Sequence, residues 1–191
     1  GISSEYTSDN MTSYFGRIYQ VRYLAGIVAG MKTENNKVGY VAAMPNIEVN
    51  RGINAFTLGV KKVNPDANVY VVWTESWDND NKETEATKKL IDELGADVIT
   101  YHQNKNCVAE VADKAGVYSI GYNKEAEGLS DNYLTAVVWN WNELYYQIVR
   151  EYIQGNANSV KRHWYGIDTN VVTLTEFSTL VGQDIRSSVE K

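Results

Sequence analysis

The sequence predicts an α/β fold in which a parallel sheet lies between two layers of helices, a three-layer αβα sandwich. Two observations support this fold class. Short apolar runs recur between residues 37 and 123, and the segments between them carry apolar residues at helical spacing. Strands that alternate with helices form right-handed βαβ units, so all the strands point the same way and end at one edge of the sheet.

The strands are predicted from apolar runs without polar interruption, which are typical of strands covered on both faces. They span residues 37–43, 69–73, 97–101, 117–120 and 133–139, with weaker extended segments at 163–167 and 171–173. A helix is predicted over residues 12–31, ahead of the first strand. Its apolar stripe needs a partner surface, which we expect either on the strands that follow or upstream.

The remaining helices are predicted from apolar spacing and from residues that cap helix ends. They span residues 47–63, 81–94, 106–115, 140–155 and about 180–189. Asp80 with Glu83, and Asn140 with Glu143, have the spacing of capping boxes. Gly95 suits the end of a helix.

The composition is that of an ordinary globular chain. Of its 191 residues, 43% are hydrophobic and 22% charged, and the formal net charge is −6. This acidic balance, without a basic stripe, argues against a nucleic-acid partner. Cys107 is the single cysteine and only two histidines are present, so no metal site is expected. No apolar run is long enough to span a bilayer.

The common catalytic motifs are absent from the sequence. It contains no G-x-S-x-G, no P-loop and no G-x-G-x-x-G. Two histidines and one cysteine leave little for general acid–base work. We therefore predict a binding protein with no catalytic residue and no cofactor.

Four polar or aromatic candidates follow the predicted strands, where ligands bind in open α/β sheets. Trp77 follows the second strand and could stack on a planar ligand or fold back onto a helix. His102 and Gln103 follow the third strand and could bond a ligand or local backbone. Asn123 ends the fourth strand, as a ligand contact or a turn amide.

Two further candidates open the helix after the first strand. Asn46 and Glu48 lie where a helix N-terminus meets the ligand-binding edge. Ordinary helix capping is the alternative, and we prefer it for at least one residue of this segment.

Several motifs occur in fixed order: residues 14–17 (YFGR), 22–26 (RYLAG), 37–42 (KVGYVA), 51–56 (RGINAF), 95–99 (GADVI) and 134–141 (LTAVVWNW). Together they resemble the basic membrane protein (PnrA-like) family of substrate-binding lipoproteins. The resemblance implies a type I periplasmic binding protein, whose two flavodoxin-like α/β lobes close on a ligand. It also implies an extracytoplasmic, lipid-anchored component that delivers a purine base or nucleoside to an ABC permease.

The family's first lobe should precede Tyr14, so the resemblance implies that this chain is a C-terminal portion. Residues 37–139 would form the second lobe. Residues 1–36 would be a tail and helix left from the first lobe or hinge, and residues 140–191 would return to the first lobe. The partner of helix 12–31 would then lie upstream. We expect weak ligand binding by this chain alone, and self-association through the surface left by the missing lobe.

The resemblance also implies roles for individual residues. Trp77 matches the aromatic residue that stacks on the purine, and His102 and Gln103 match a polar loop that faces the ligand. Asn123 stands where members often place an aspartate against a ribose hydroxyl. This departure favours a free base such as adenine. Two other functions stay open: a ligand-sensing regulatory domain, and a nucleotide-using enzyme on a flavodoxin-like sheet.

Overall fold

The computed structural model describes residues 6–156 and 162–190. Residues 1–5, 157–161 and 191, which belong to the predicted segments 1–36 and 140–191, lie outside the described residues. The strands within it are β1 (Ser13–Gly16), β2 (Lys37–Ala42), β3 (Asn68–Trp73), β4 (Val98–His102), β5 (Tyr118–Asn123), β6 (Tyr133–Trp139), β7 (Arg162–Tyr165) and β8 (Val172–Leu174). The α-helices are α1 (Ile18–Lys32), α2 (Ile47–Val63), α3 (Asp80–Lys88), α4 (Cys107–Lys114), α5 (Trp141–Ile153) and α6 (Gln183–Val189).

Six strands form the main sheet in the order β3-β2-β4-β5-β6-β8. The first five are parallel and β8 is antiparallel to β6. The order is flavodoxin-like, since the chain leaves β2 toward one edge and then returns to its other side. The predicted fold class is confirmed, and the registers place Ala42, Trp73 and His102 side by side at the carboxyl edge.

Helices cover both faces of this sheet. A Cβ atom on Gly39 of β2 would contact Leu90, which lies in a π-helical turn, Lys89–Glu93, that extends α3. The next residue, Tyr40, packs edge-to-face on Phe56 of α2, with ring centroids 5.6 Å apart. Neighbouring residues of a strand face opposite sides. The α3 extension and α2 therefore lie on opposite faces, as a three-layer sandwich requires.

Helices α1 and α2 approach each other unusually closely. A Cβ atom on Gly26 would lie 2.1 Å from the Phe56 carbonyl oxygen, and one on Gly59 would lie 2.0 Å from the Tyr23 carbonyl oxygen. No side chain fits at either position, because backbone atoms of the partner helix already occupy the space. Glycine therefore lets the two backbones touch and fixes the position of α2 over the sheet.

The N-terminal prediction was partly wrong. Residues 13–16 form strand β1, which pairs in parallel with β7, and the helix begins only at Ile18. The apolar stripe of α1 is buried against α2, β6 and β8, all in this chain. The expectation that its partner lay upstream is therefore wrong.

Other element boundaries differ in smaller ways. Asn79, not Asp80, caps α3 by accepting a hydrogen bond from the Lys82 amide, and Glu83 accepts one from the Asn79 amide. Glu83 is fully buried. The predicted cap of α5 is confirmed, since the Asn140 side chain accepts from the Glu143 amide at 3.3 Å.

The two-stranded sheet β1–β7 is separate from the main sheet. Helix α5 exposes a row of apolar residues, including Tyr146, Tyr152 and Ile153. Strand β8 belongs to the main sheet, and α6 packs on α1. The division of the chain at residues 36 and 139 stays a prediction.

Candidate ligand-binding site

A crevice is expected where β2 and β4 lie next to each other, because the connections from these strands run in opposite directions. Helix α2 begins beside it, directly after β2. The first turn of a helix presents free backbone N–H groups and a partial positive charge. This edge therefore combines strand ends with a helix N-terminus that favours electron-rich groups.

The rings of Trp77, His102 and Tyr122 form an aromatic wall at this edge. The Trp77 ring is half-buried and meets His102 edge-to-face, with centroids 5.8 Å apart and an interplanar angle of 69°. His102 in turn packs against Tyr122 of β5 at 4.2 Å. The structure thus brings Trp77 and His102 together, as the sequence predicted, and leaves part of the indole accessible.

The loop that carries Trp77 is tied to its surroundings. The Trp77 carbonyl accepts from the Asn104 amide at 3.0 Å. The Lys105 ammonium bonds Asp78 at 2.8 Å and Asp80 at 3.1 Å, and these hydrogen bonds raise its pKa. Glu75 adopts φ +52°, an uncommon left-handed conformation. These hydrogen bonds and ion pairs connect the backbone of the Trp77 loop to the segment that follows β4.

His102 and Gln103 are both buried, and their ligand-binding role stays a prediction. His102 is the last residue of β4 and is 1% exposed, while Gln103 is fully buried. The Gln103 amide donates to Thr74 Oγ1 at 2.8 Å, and Thr74 Oγ1 donates to the Ser76 carbonyl at 2.9 Å. Gln103 thereby supports the Trp77 loop, and His102 lies at the base of the wall.

Burial sets the protonation of His102. Desolvation, and then the nearby Arg22 guanidinium, lower the pKa of the imidazole well below its ordinary value of 6.5. The ring is therefore neutral at pH 7. A neutral imidazole has one donor and one acceptor nitrogen.

The lowered pKa predicts that stability falls with acidification. Below pH 6.5 the unfolded chain protonates His102 and the folded chain does not, so the free energy of unfolding decreases as pH falls. The limiting slope from one such group is about 1.4 kcal/mol per pH unit. Between pH 7 and pH 5, the free energy of unfolding measured in urea should fall less steeply with pH for His102→Gln than for the parent. Equal slopes would contradict the assignment, because carboxylate contributions are shared by both proteins.

Arg22 is a site residue that the sequence analysis missed. It is fully buried between the rings of Tyr40 and Tyr122, with its guanidinium carbon 5.3 and 4.2 Å from their centroids. Its Nη2 donates to the Tyr101 carbonyl at 2.8 Å and its Nη1 to Thr100 Oγ1 at 3.3 Å. The sequence could have indicated Arg22, because it is the one cation on the apolar stripe of α1, four residues after Ile18.

Asn46 and Glu48 have different environments. Asn46 is exposed, and its side-chain oxygen accepts from the Val49 amide at 2.9 Å, so it caps α2. Glu48 is half-buried, and burial raises the pKa of its carboxyl group while Arg22 and Arg51 lower it. Glu48 thus places a hydrogen-bond acceptor beside the crevice, within the electrostatic range of two guanidinium groups.

Asn123 ends β5 at the same edge, half-buried and with φ +71°. Asparagine tolerates this left-handed conformation better than most residues. The aromatic row continues past it. Trp139 stacks on Trp141, with ring centroids 5.1 Å apart and an interplanar angle of 12°.

Within residues 6–156 and 162–190, no cluster of three or more His, Cys, Asp or Glu side chains could hold a metal ion. In the same residues, every helix is too short or too polar to cross a membrane.

Curated relatives align with almost the whole chain. A protein of Haloferax volcanii, provisionally described as an ABC transporter glucose-binding protein, is 41% identical over 184 residues, which cover 96% of this chain and 46% of that protein. A purine-binding protein of Brucella abortus is 34% identical over 186 residues, covering 97% and 52%. A transcriptional activator of Bacillus subtilis is 30% identical, covering 96% and 57%. The chain spans about half the length of these relatives.

Solved structures share the fold. A transcriptional activator of the comK gene from Bacillus halodurans superposes with a TM-score of 0.90 and 26% identity, over 99% of this chain and 66% of that one. An ABC transporter solute-binding protein from Conexibacter woesei has a TM-score of 0.80 and 20% identity, over 100% and 65%.

A family model described as ABC transporter substrate-binding protein PnrA-like matches residues 2–191. The resemblance found in the sequence is therefore confirmed, and the chain belongs to the PnrA-like family of ABC transporter substrate-binding proteins.

Proposed function

We propose that this chain is the second lobe of an extracytoplasmic solute-binding protein that takes a purine base or nucleoside. The observation that carries the proposal is the partly exposed Trp77 indole, which packs edge-to-face on a neutral His102 at the carboxyl edge. A flat heterocycle gains about 1–3 kcal/mol from stacking on such a ring. A second lobe closing from the opposite side would complete the sandwich.

The polar groups at this edge suit the rim of a purine. Glu48 offers a carboxylate acceptor for an exocyclic amine or ring N–H, beside the N-terminus of α2. Asn123 offers an amide in place of a carboxylate, which favours a free base such as adenine over a ribose-bearing ligand. Asn46 contributes chiefly by capping the helix.

A sugar is the second candidate ligand. It is favoured by the Haloferax volcanii relative described as glucose-binding, at 41% identity. The apolar face of a hexose also packs on an indole, so Trp77 is compatible with both ligand classes. The Brucella abortus relative supports the purine instead. A regulatory role is a third candidate, supported by the Bacillus subtilis relative.

The proposal also assigns partners. The ligand would be delivered to an ABC permease by a protein that a lipid anchor holds at the membrane surface. Residues 37–139 would carry most of the ligand-binding lobe, which α1, β8 and α6 complete, and the rest of residues 1–36 and 140–191 would lead to the first lobe. The exposed apolar face of α5 and the small β1–β7 sheet would then pack against that lobe, or against a second copy of this chain.

Calorimetry with adenine, guanosine, inosine and glucose tests the ligand class. We expect this chain to bind adenine weakly, and a two-lobe form that contains it to bind adenine at least about tenfold more tightly, because closure adds contacts. Size-exclusion chromatography of the same samples tests self-association. Binding of glucose without any purine would replace the purine proposal, and a clean monomer would remove self-association.

A further inference from the structure

A group of buried polar atoms lies behind the aromatic wall. Arg22 Nε, Tyr40 Oη and His102 Nδ1 are inaccessible to solvent and have no hydrogen-bond partner among residues 6–156 and 162–190. Their residues are 0–1% exposed. Leaving a buried polar group unpartnered is costly, and buried polar groups in folded proteins nearly always have a partner.

Two of these atoms converge on one point. A Cβ atom built on Gly52 of α2 would lie 3.5 Å from Tyr40 Oη and 3.6 Å from His102 Nδ1. The side-chain stem of Arg22 borders the same point, with its Cγ at 3.8 Å. Gly52 has no side chain, so space remains beyond its Cα atom, next to a hydroxyl and an imidazole nitrogen.

We propose that this space binds one buried water molecule, which bridges Tyr40 Oη and His102 Nδ1 beneath Gly52. Arg22 Nε is a further buried donor without a partner in the described residues. A buried water typically makes about three hydrogen bonds to polar groups that lack partners. The Arg22 charge disfavours a cation there, and the half-buried Glu48 nearby disfavours an anion. Water both donates and accepts, so it satisfies either tautomer of His102.

The water would have a structural role in the site. It ties the imidazole of His102 to Tyr40 of β2 and thereby fixes the ring against which Trp77 packs. This role does not depend on which ligand the crevice takes.

Gly52→Ala tests the proposal by the sign of its effect. Alanine in a helix is favoured over glycine, and the added methyl would meet its neighbours at 3.5 Å or more, an ordinary contact distance. Without a bound water the variant should therefore be more stable than the parent. With one, the methyl displaces it, and we expect the folding equilibrium constant in urea titrations to fall about fivefold or more. The matched control is Asn54→Ala, on the exposed side of α2, which should fold at least as stably as the parent.

Tyr40→Phe supplies an independent second test. It keeps the ring between Phe56 and Arg22 and removes only the hydroxyl. Removing an unpartnered buried hydroxyl should raise stability, whereas removing a partner of bound water should lower the folding equilibrium constant about fivefold. The proposal requires both variants to be less stable than the parent. A gain or no change in either one overturns it.

Discussion

Gly59→Ala is expected to destabilise the protein by about 3 kcal/mol, the upper part of the range for overpacking. The new methyl would lie 2.0 Å from the Tyr23 carbonyl oxygen and 3.0 Å from the Ile27 nitrogen, both backbone atoms of α1. No rotamer change can relieve a backbone contact, so α1 and α2 must separate. The free energy of unfolding in urea is the measurement.

The neighbouring residue provides the control. Leu58 is 64% exposed, so Leu58→Ala should change the free energy of unfolding by no more than about 0.5 kcal/mol. Both variants place alanine in the middle of the same helix, and helix propensity alone would favour Gly59→Ala. If the two variants were equally stable, the close approach of the helices would be refuted.

Trp77→Ala is expected to weaken purine binding by about tenfold to 100-fold, the loss of one base–aromatic stack. Fold stability should change far less, because the ring is half-exposed at the sheet edge. Calorimetry with adenine, on the form of the protein that gives a measurable heat, is the test.

Two matched variants separate stacking from general disruption. Trp77→Phe keeps a flat ring and should retain most of the affinity. Trp164, on strand β7, is another partly exposed indole, and it packs against Arg17 and Arg51. Trp164→Ala should leave the affinity unchanged. Unaltered adenine binding by Trp77→Ala would remove the stacking role.

The central elements could be predicted from the sequence because local and distant forces agree there. The predicted helix at residues 47–63 and the strand at 133–139 match the structure at both ends. The prediction of a helix at residues 13–16 was wrong because their partner strand, Arg162–Tyr165, lies almost 150 residues away. The spacing of a few apolar residues cannot reveal such a distant pairing.

The candidate site was predictable in position but not in orientation. Parallel strands end at one edge, so Trp77 and His102 were expected to meet, and they do. Whether His102 faces solvent or the interior depends on the residue at which β4 ends, which the sequence leaves uncertain by one or two positions. Arg22 was missed because its ring partners, Tyr40 and Tyr122, lie on strands that are distant in sequence.

The parallel stack of Trp139 on Trp141 gives the protein an intrinsic spectroscopic probe. One indole ends β6 and the other begins α5, with only Asn140 between them. Two chromophores held face to face exchange excitation, so their near-ultraviolet circular dichroism depends on their mutual angle. Any movement of α5 relative to the main sheet would change that signal. Such movement could therefore be followed by circular dichroism without an attached dye.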